Sequence, residues 1–141
     1  MAIRKATAQW NGGLKDGTGS MKLASGAFEG PFSFATRFGD APGTNPEELI
    51  GAAHAGCFSM AFSAILGGAG YAPKSIQTEA QVHIDPVEGG FAITKIELTM
   101  KAEIPNISES EFQRLANEAK AGCPVSKALA GTEISLNASL V

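Results

Sequence analysis

Charge is scarce in this sequence, and so are cysteine and aromatic side chains. Charged residues make up 18% of the 141-residue chain, and 11 basic against 14 acidic side chains leave a net charge of −3. A chain that grips nucleic-acid phosphates carries a basic face, so no nucleic-acid partner is expected. Two cysteines are too few to staple a small secreted fold. The first residues, MAIRKATAQWNGG, contain no apolar h-region. No secretory signal is therefore expected, and the cytoplasm is the expected location. The apolar fraction of 44% belongs to a globular chain and excludes disorder and coiled coil. The length predicts a single domain over residues 1–141.

One stretch is rich where the rest is poor. Between Leu49 and Ala72 the only ionisable side chains are His54, Cys57 and Tyr71. That is long enough for a bilayer. Its residues are mostly Gly, Ala and Ser, which insert weakly. The expectation is a helix buried in protein and no membrane partner. Asn45-Pro46 predicts its start, with Asn45 as N-cap, Pro46 at the first helical position and Glu48 placed for a capping box. The helix is predicted to run from Pro46 to about Leu66 and to end in Gly67-Gly68-Ala69-Gly70. It is apolar or small on every side after its first turn, so a second subunit is needed to surround it.

The flanking segments read as strands and short helices. Phe32, Phe34, Thr36 and Phe38 alternate and predict a strand. Thr78–Ile84 and Phe91–Met100 predict a hairpin, irregular between Thr94 and Ile96. Ser108 opens a helix whose apolar side is Phe112, Leu115, Ala116 and Ala119. Cys123 is read as the N-cap and Pro124 as the first residue of a further short helix. Ile134–Leu140 is a last strand. The order predicts an α+β fold with mostly antiparallel sheets packed on a long central helix.

Few residues carry chemistry. Cys57 lies in the apolar helix and by spacing alone reads first as a small core side chain. Cys123, before a proline at a helix start, meets free backbone N–H groups that favour thiolate. Two cysteines on two helices can close a transient catalytic disulfide: a sulfenic acid on one condenses with the other. His54 is three residues before Cys57. It reads as a buried core histidine, as the base of a cysteine hydrolase, or as part of a His/Cys metal site that lacks recognisable ligand spacing. A non-catalytic dimer that binds a small apolar ligand is also open.

The run Thr44-Asn45-Pro46-Glu47-Glu48-Leu49-Ile50-Gly51-Ala52-Ala53-His54-Ala55-Gly56-Cys57-Phe58-Ser59-Met60-Ala61 resembles the core motif of the OsmC/Ohr family of thiol peroxidases. Gly122-Cys123-Pro124-Val125-Ser126-Lys127-Ala128-Leu129 resembles that family's second-cysteine motif. The first motif is nearer the osmotically inducible protein C branch than the organic hydroperoxide resistance branch. The resemblance implies Cys57 as peroxidatic cysteine, Cys123 as resolving cysteine, Arg37 as the thiolate-stabilising arginine and Glu47 as its partner. It implies organic hydroperoxide substrates, a dithiol reductant of the dihydrolipoyl kind, no cofactor and no metal.

Glu47 and Cys57 are ten residues apart. At about 1.5 Å per residue they lie ~15 Å apart along one helix. If both serve one thiol, either the helix is broken or a second subunit supplies the glutamate. The expectation is a two-fold homodimer whose central helices pack together, with Gly51, Ala52, Ala55, Gly56 and Ser59 allowing close helix approach; the resemblance implies that this homodimer is intertwined. Phe32, Phe34, Phe58 and Phe62 are read either as an apolar substrate mouth or as core.

Overall fold

A three-stranded antiparallel meander opens the chain in the computed structural model, which describes all 141 residues. Its strands are β1 (Ala6–Asn11), β2 (Thr18–Leu23) and β3 (Glu29–Phe32), paired in that order. Trp10 stands opposite Gly19, and Gly19 opposite Phe32. A side chain at Gly19 would collide with both rings. Glycine there lets Trp10 and Phe32 meet at 5.3 Å between centroids.

The strand expected through Phe38 stops at Phe32. Residues Phe34–Phe38 form a short helix, α1. Ser33 and Thr36 build a reciprocal capping box, which turns the backbone helical. Phe34 and Phe38 are four residues apart, and their rings meet at 5.0 Å on one helix face. The alternation that suggested a strand was a coincidence of two periods.

Helix α2 spans Pro46–Gly68 without interruption, two residues beyond the expected end. Asn45 Oδ1 accepts the Glu48 N–H at 2.8 Å, as an N-cap should. The Glu48 carboxylate does not reach back to the Asn45 backbone; it accepts from Thr44 Oγ1 instead. The chain divides into two compact units, Met1–Leu49 and Ile50–Val141.

In the second unit, β4 (Ser75–Val87) and β5 (Gly90–Glu103) form the expected hairpin. The register shifts between His83 and Ile84, leaving Thr94 as the extra residue on β5. α3 (Glu109–Gly122) and α4 (Pro124–Ala128) follow, and β6 (Glu133–Leu140) returns parallel to β5. That one parallel pairing needs a long crossover, which α3 and α4 supply.

The core sits between one stripe of α2, the inner face of β5 and α3. Phe58, Phe62 and Leu66 recur every four residues and are fully covered. They pack with Ile96, Leu98 and Met100 from β5 and with Phe112 and Leu115 from α3. Phe58 and Phe62 are therefore core rather than substrate mouth. The sheet covers only one side of α2. Of its most apolar 18-residue window, 28% is buried by this chain, so the expected envelopment is not met within one protomer. Ala52, Ala53, Gly56, Met60, Ser63 and Gly67 stay exposed. Gly51 and Ser59 face β4 instead: Gly51 lies against Ala80 and Val82, and Ser59 bonds the Thr78 hydroxyl.

Candidate functional site

The first unit holds a cation beside an apolar cleft. Arg37 occupies the last turn of α1, where a positive charge meets free helix carbonyls. Its Nε donates to Glu47 Oε1 at 2.7 Å. Asn45 Nδ2 donates to the Thr36 carbonyl, which ties the end of α1 to the cap of α2. With Glu48 held by Thr44, Glu47 is the acid left to meet Arg37. Glu47 is buried, and its second oxygen, Oε2, has no hydrogen-bond partner. Arg37 stays 37% exposed. Trp10, Leu14, Phe32, Phe34 and Phe38 line a cleft of about 320 Å³ with Arg37 at its wall. The Arg37 guanidinium also lies 5.4 Å from the Phe38 ring centre.

The second unit holds two sulfurs in contact. Cys57 is half-buried on α2. Cys123 is completely buried, ending α3 and starting α4. The two Sγ atoms are 2.8 Å apart and both cysteines are free. Cys123 holds the N-cap position and Pro124 the first position of α4, but the Cys123 side chain makes no cap hydrogen bond; the Val125 and Ser126 N–H groups nearby favour its ionised form. The nearby Ser126 hydroxyl favours the ionised form of Cys123.

These surroundings treat the two thiols differently. Burial pushes the Cys57 thiol up, its bond to Cys123 adds to that, and the Val125 N–H pulls weakly the other way. Burial opposes ionisation of Cys123 too, but its bonds to Cys57 and to Ser126 bring it below an ordinary thiol. In the 2.8 Å contact Cys123 donates to Cys57, and the two thiols titrate as a pair.

His54 is fully buried. Its Nε2 lies 2.7 Å from Ser126 Oγ, while Nδ1 has no partner. Burial lowers its proton affinity and keeps it neutral. The imidazole therefore engages a serine, where a hydrolase would need it on Cys57. Ser126 gains a place here that sequence reasoning had not given it. It stood inside the second-cysteine motif, but no spacing rule links it to a histidine 72 residues earlier. His83 bonds Glu97 across the β4–β5 hairpin, and no three His, Cys, Asp or Glu side chains gather to hold a metal ion. Arg37 meets Glu47 in the first unit, and Cys57 meets Cys123 in the second.

A family described as OsmC-like protein matches residues 39–138. Peroxiredoxin OsmC of Escherichia coli (strain K12) is 51% identical over 138 residues, covering 97% of this chain and 96% of that protein. An organic hydroperoxide resistance protein of Xanthomonas axonopodis pv. citri is 32% identical over 90 residues, covering 63% of this chain and 61% of that one. Among solved structures, an organic hydroperoxide resistance protein from Elizabethkingia anophelis superposes with a TM-score of 0.72 at 27% identity, over 99% of this chain and 96% of that one. On this match in motif, length and fold, the chain belongs to the OsmC-like family.

Proposed function

We propose that this protein is a two-cysteine thiol peroxidase that reduces organic hydroperoxides, and hydrogen peroxide less well, in defence against oxidative and osmotic stress. The observation that carries the reading is the 2.8 Å approach of Cys57 and Cys123, two free sulfurs on different helices. The names of the relatives point to the same chemistry.

Cys57 is the half-exposed sulfur, and it meets the peroxide. Its thiolate attacks the terminal oxygen, the O–O bond breaks, and the alkoxide leaves as an alcohol. Cys57 then carries a sulfenic acid. Cys123 attacks that sulfur, hydroxide leaves as water, and a Cys57–Cys123 disulfide closes. A dithiol of the dihydrolipoyl kind reopens it. Cys57 has no cation among the groups bonded to it, so its charge must be held from elsewhere. Arg37 is that cation, kept in place by Glu47. The aromatic cleft next to Arg37 suits an alkyl or aryl peroxide better than hydrogen peroxide.

The working form in this reading is an intertwined homodimer in the cytoplasm. α2 is continuous, so ~15 Å of helix separates Glu47 from Cys57 along the axis. The uncovered Ala, Gly and Ser face of α2 supports close approach of a second helix.

The test is peroxide consumption by the wild type, Cys57→Ser and Cys123→Ser, with dihydrolipoamide or thioredoxin as reductant. The expected result is fast turnover of cumene hydroperoxide with dihydrolipoamide, none with Cys57→Ser, and a single event followed by over-oxidation with Cys123→Ser. Sustained dithiol-driven turnover by Cys123→Ser would remove the resolving role.

A further inference from the structure

The peroxidase chemistry gives no task to His54 or Ser126, yet the two are bonded inside the second unit. His54 Nε2 lies 2.7 Å from Ser126 Oγ. His54 is wholly buried and Ser126 is 6% exposed. Each stands three residues from a cysteine: His54 before Cys57 on α2, and Ser126 after Cys123 at the start of α4. The cysteines themselves meet at 2.8 Å, with Cys123 donating. α2 and the start of α4 are therefore joined by two side-chain contacts about one turn apart, taken in opposite chain order.

α4 needs such a hold. The Cys123 N–H donates to the Ala119 carbonyl and closes α3. At φ −59° and ψ 126° Cys123 is not helical, so the chain bends there. Pro124 follows with no N–H to donate, and the Cys123 side chain makes no cap bond. α4 is five residues long, too short to be stable by itself. Val125 and Leu129 pack partly on the core, while Pro124, Lys127 and Ala128 face solvent. Two partly covered apolar side chains tolerate sliding. A buried hydrogen bond does not, because a small slip leaves Nε2 and Oγ both unpaired. Nδ1 of His54 has no partner, so Ser126 is the one polar anchor of the ring.

We propose that the His54–Ser126 hydrogen bond is a clamp that seats α4 on α2 and holds Cys123 in line with Cys57, so that a sulfenic acid on Cys57 closes to the disulfide before a second peroxide reaches it. This deepens the peroxidase reading and rests on it for its biological sense. Both residues act through where they place Cys123, and both are positioning residues.

Burial sets the direction of approach. Cys123 is wholly covered and Cys57 only partly, so peroxide reaches Cys57 from the side away from Cys123. The oxygen left on Cys57 lies on that side, and the Cys123 sulfur faces the back of the S–O bond, where displacement starts. Cys123 Sγ attacks Cys57 Sγ, the S–S bond forms as the S–O bond breaks, and the departing hydroxide takes the Cys123 proton to leave as water. No further oxidant or reductant enters this step. The clamp takes no part in the bonds that change. Its contribution is the fraction of time that α4 is seated with the sulfurs aligned.

The experiment reads the clamp without peroxide first. Wild type, His54→Leu, His54→Gln and Ser126→Ala are equilibrated in dithiothreitol redox buffers at one pH, and the Cys57–Cys123 disulfide is counted by thiol labelling. Removing one partner of a buried hydrogen bond is worth about tenfold, so the disulfide is about tenfold less favoured in His54→Leu and in Ser126→Ala. That is a rise of about 30 mV in reduction potential. Gln both donates and accepts, and it recovers most of the loss. The double variant His54→Leu/Ser126→Ala leaves no polar group unpaired, so it regains folding stability but not the potential. In stopped flow with excess cumene hydroperoxide, the two single variants close the disulfide about tenfold more slowly and accumulate sulfinic acid on Cys57. Potentials and closure rates equal to wild type in both single variants would overturn the clamp. So would a double variant whose potential returns together with its stability. A wild type that consumes no peroxide while the potential shift is present would overturn the peroxidase reading and leave the clamp standing.

Discussion

The second unit, Ile50–Val141, keeps Phe58, Phe62, Leu66, Ile96, Met100 and Phe112 entirely away from solvent. In the first, Met1–Leu49, the covered residues are Gly17, Gly30, Thr36, Thr44 and Glu47, and the large apolar side chains Trp10, Phe32, Phe34 and Phe38 border an open cleft. One unit has spent its aromatics on its own packing. The other still has them to offer to a ligand. Substitution in the second unit therefore reads first as stability, and in the first unit first as recognition.

The widest separation between the units comes from two truncations of the same residue type. Phe62→Ala, in the fully packed stripe, is expected to cost ~3–5 kcal/mol in urea unfolding. Phe34→Ala, at the cleft, is expected to cost less than about 1 kcal/mol. It should raise KM for cumene hydroperoxide while leaving the rate with hydrogen peroxide unchanged. Equal losses of stability would erase the contrast.

Gly56→Trp probes the uncovered side of α2. A side chain there meets nothing within its own chain, so the protomer still folds. Forced between two helices, the indole should weaken the dimer by about 10–100-fold. Light scattering across a dilution series reads this directly, and an unchanged dissociation constant would move the dimer contact to another face. Arg37→Lys keeps the charge but loses the planar fork that meets Glu47. Peroxide consumption should slow about tenfold, with stability within ~0.5 kcal/mol because the pair is partly solvated.

The smallest effect is on pH dependence. Burial lowers the affinity of His54 for a proton, so below about pH 6.5 the unfolded chain binds a proton that the folded chain refuses. Stability from this residue is complete above that pH and is lost as pH falls. The loss is at most about 1.4 kcal/mol per pH unit. Urea midpoints of wild type and His54→Gln should diverge between pH 7 and pH 5, with the wild type falling faster.

Local signals in the sequence carried much of this. Asn45-Pro46 specified the start of α2 because cap and fixed φ act within one turn. The apolar side of α3 was readable because Phe112, Leu115, Ala116 and Ala119 repeat at helical spacing and all meet the core. Phe32–Phe38 was misread because residues two apart and four apart satisfy both periods, and only the Ser33–Thr36 capping box separates them. The parallel return of β6 was not legible, since strand direction depends on the path of α3 and α4 rather than on β6 itself. The same holds for Ser126, whose link to His54 exists only after folding. Apolar residues all round α2 could not say which face its own sheet would cover.

The most direct test is to treat the reduced protein with one equivalent of cumene hydroperoxide, then count its thiols and map its peptides by mass. The account predicts loss of both thiols, a mass lower by two hydrogens and a peptide pair joined through Cys57 and Cys123. Two intact thiols, or added oxygen with no such cross-link, would contradict it.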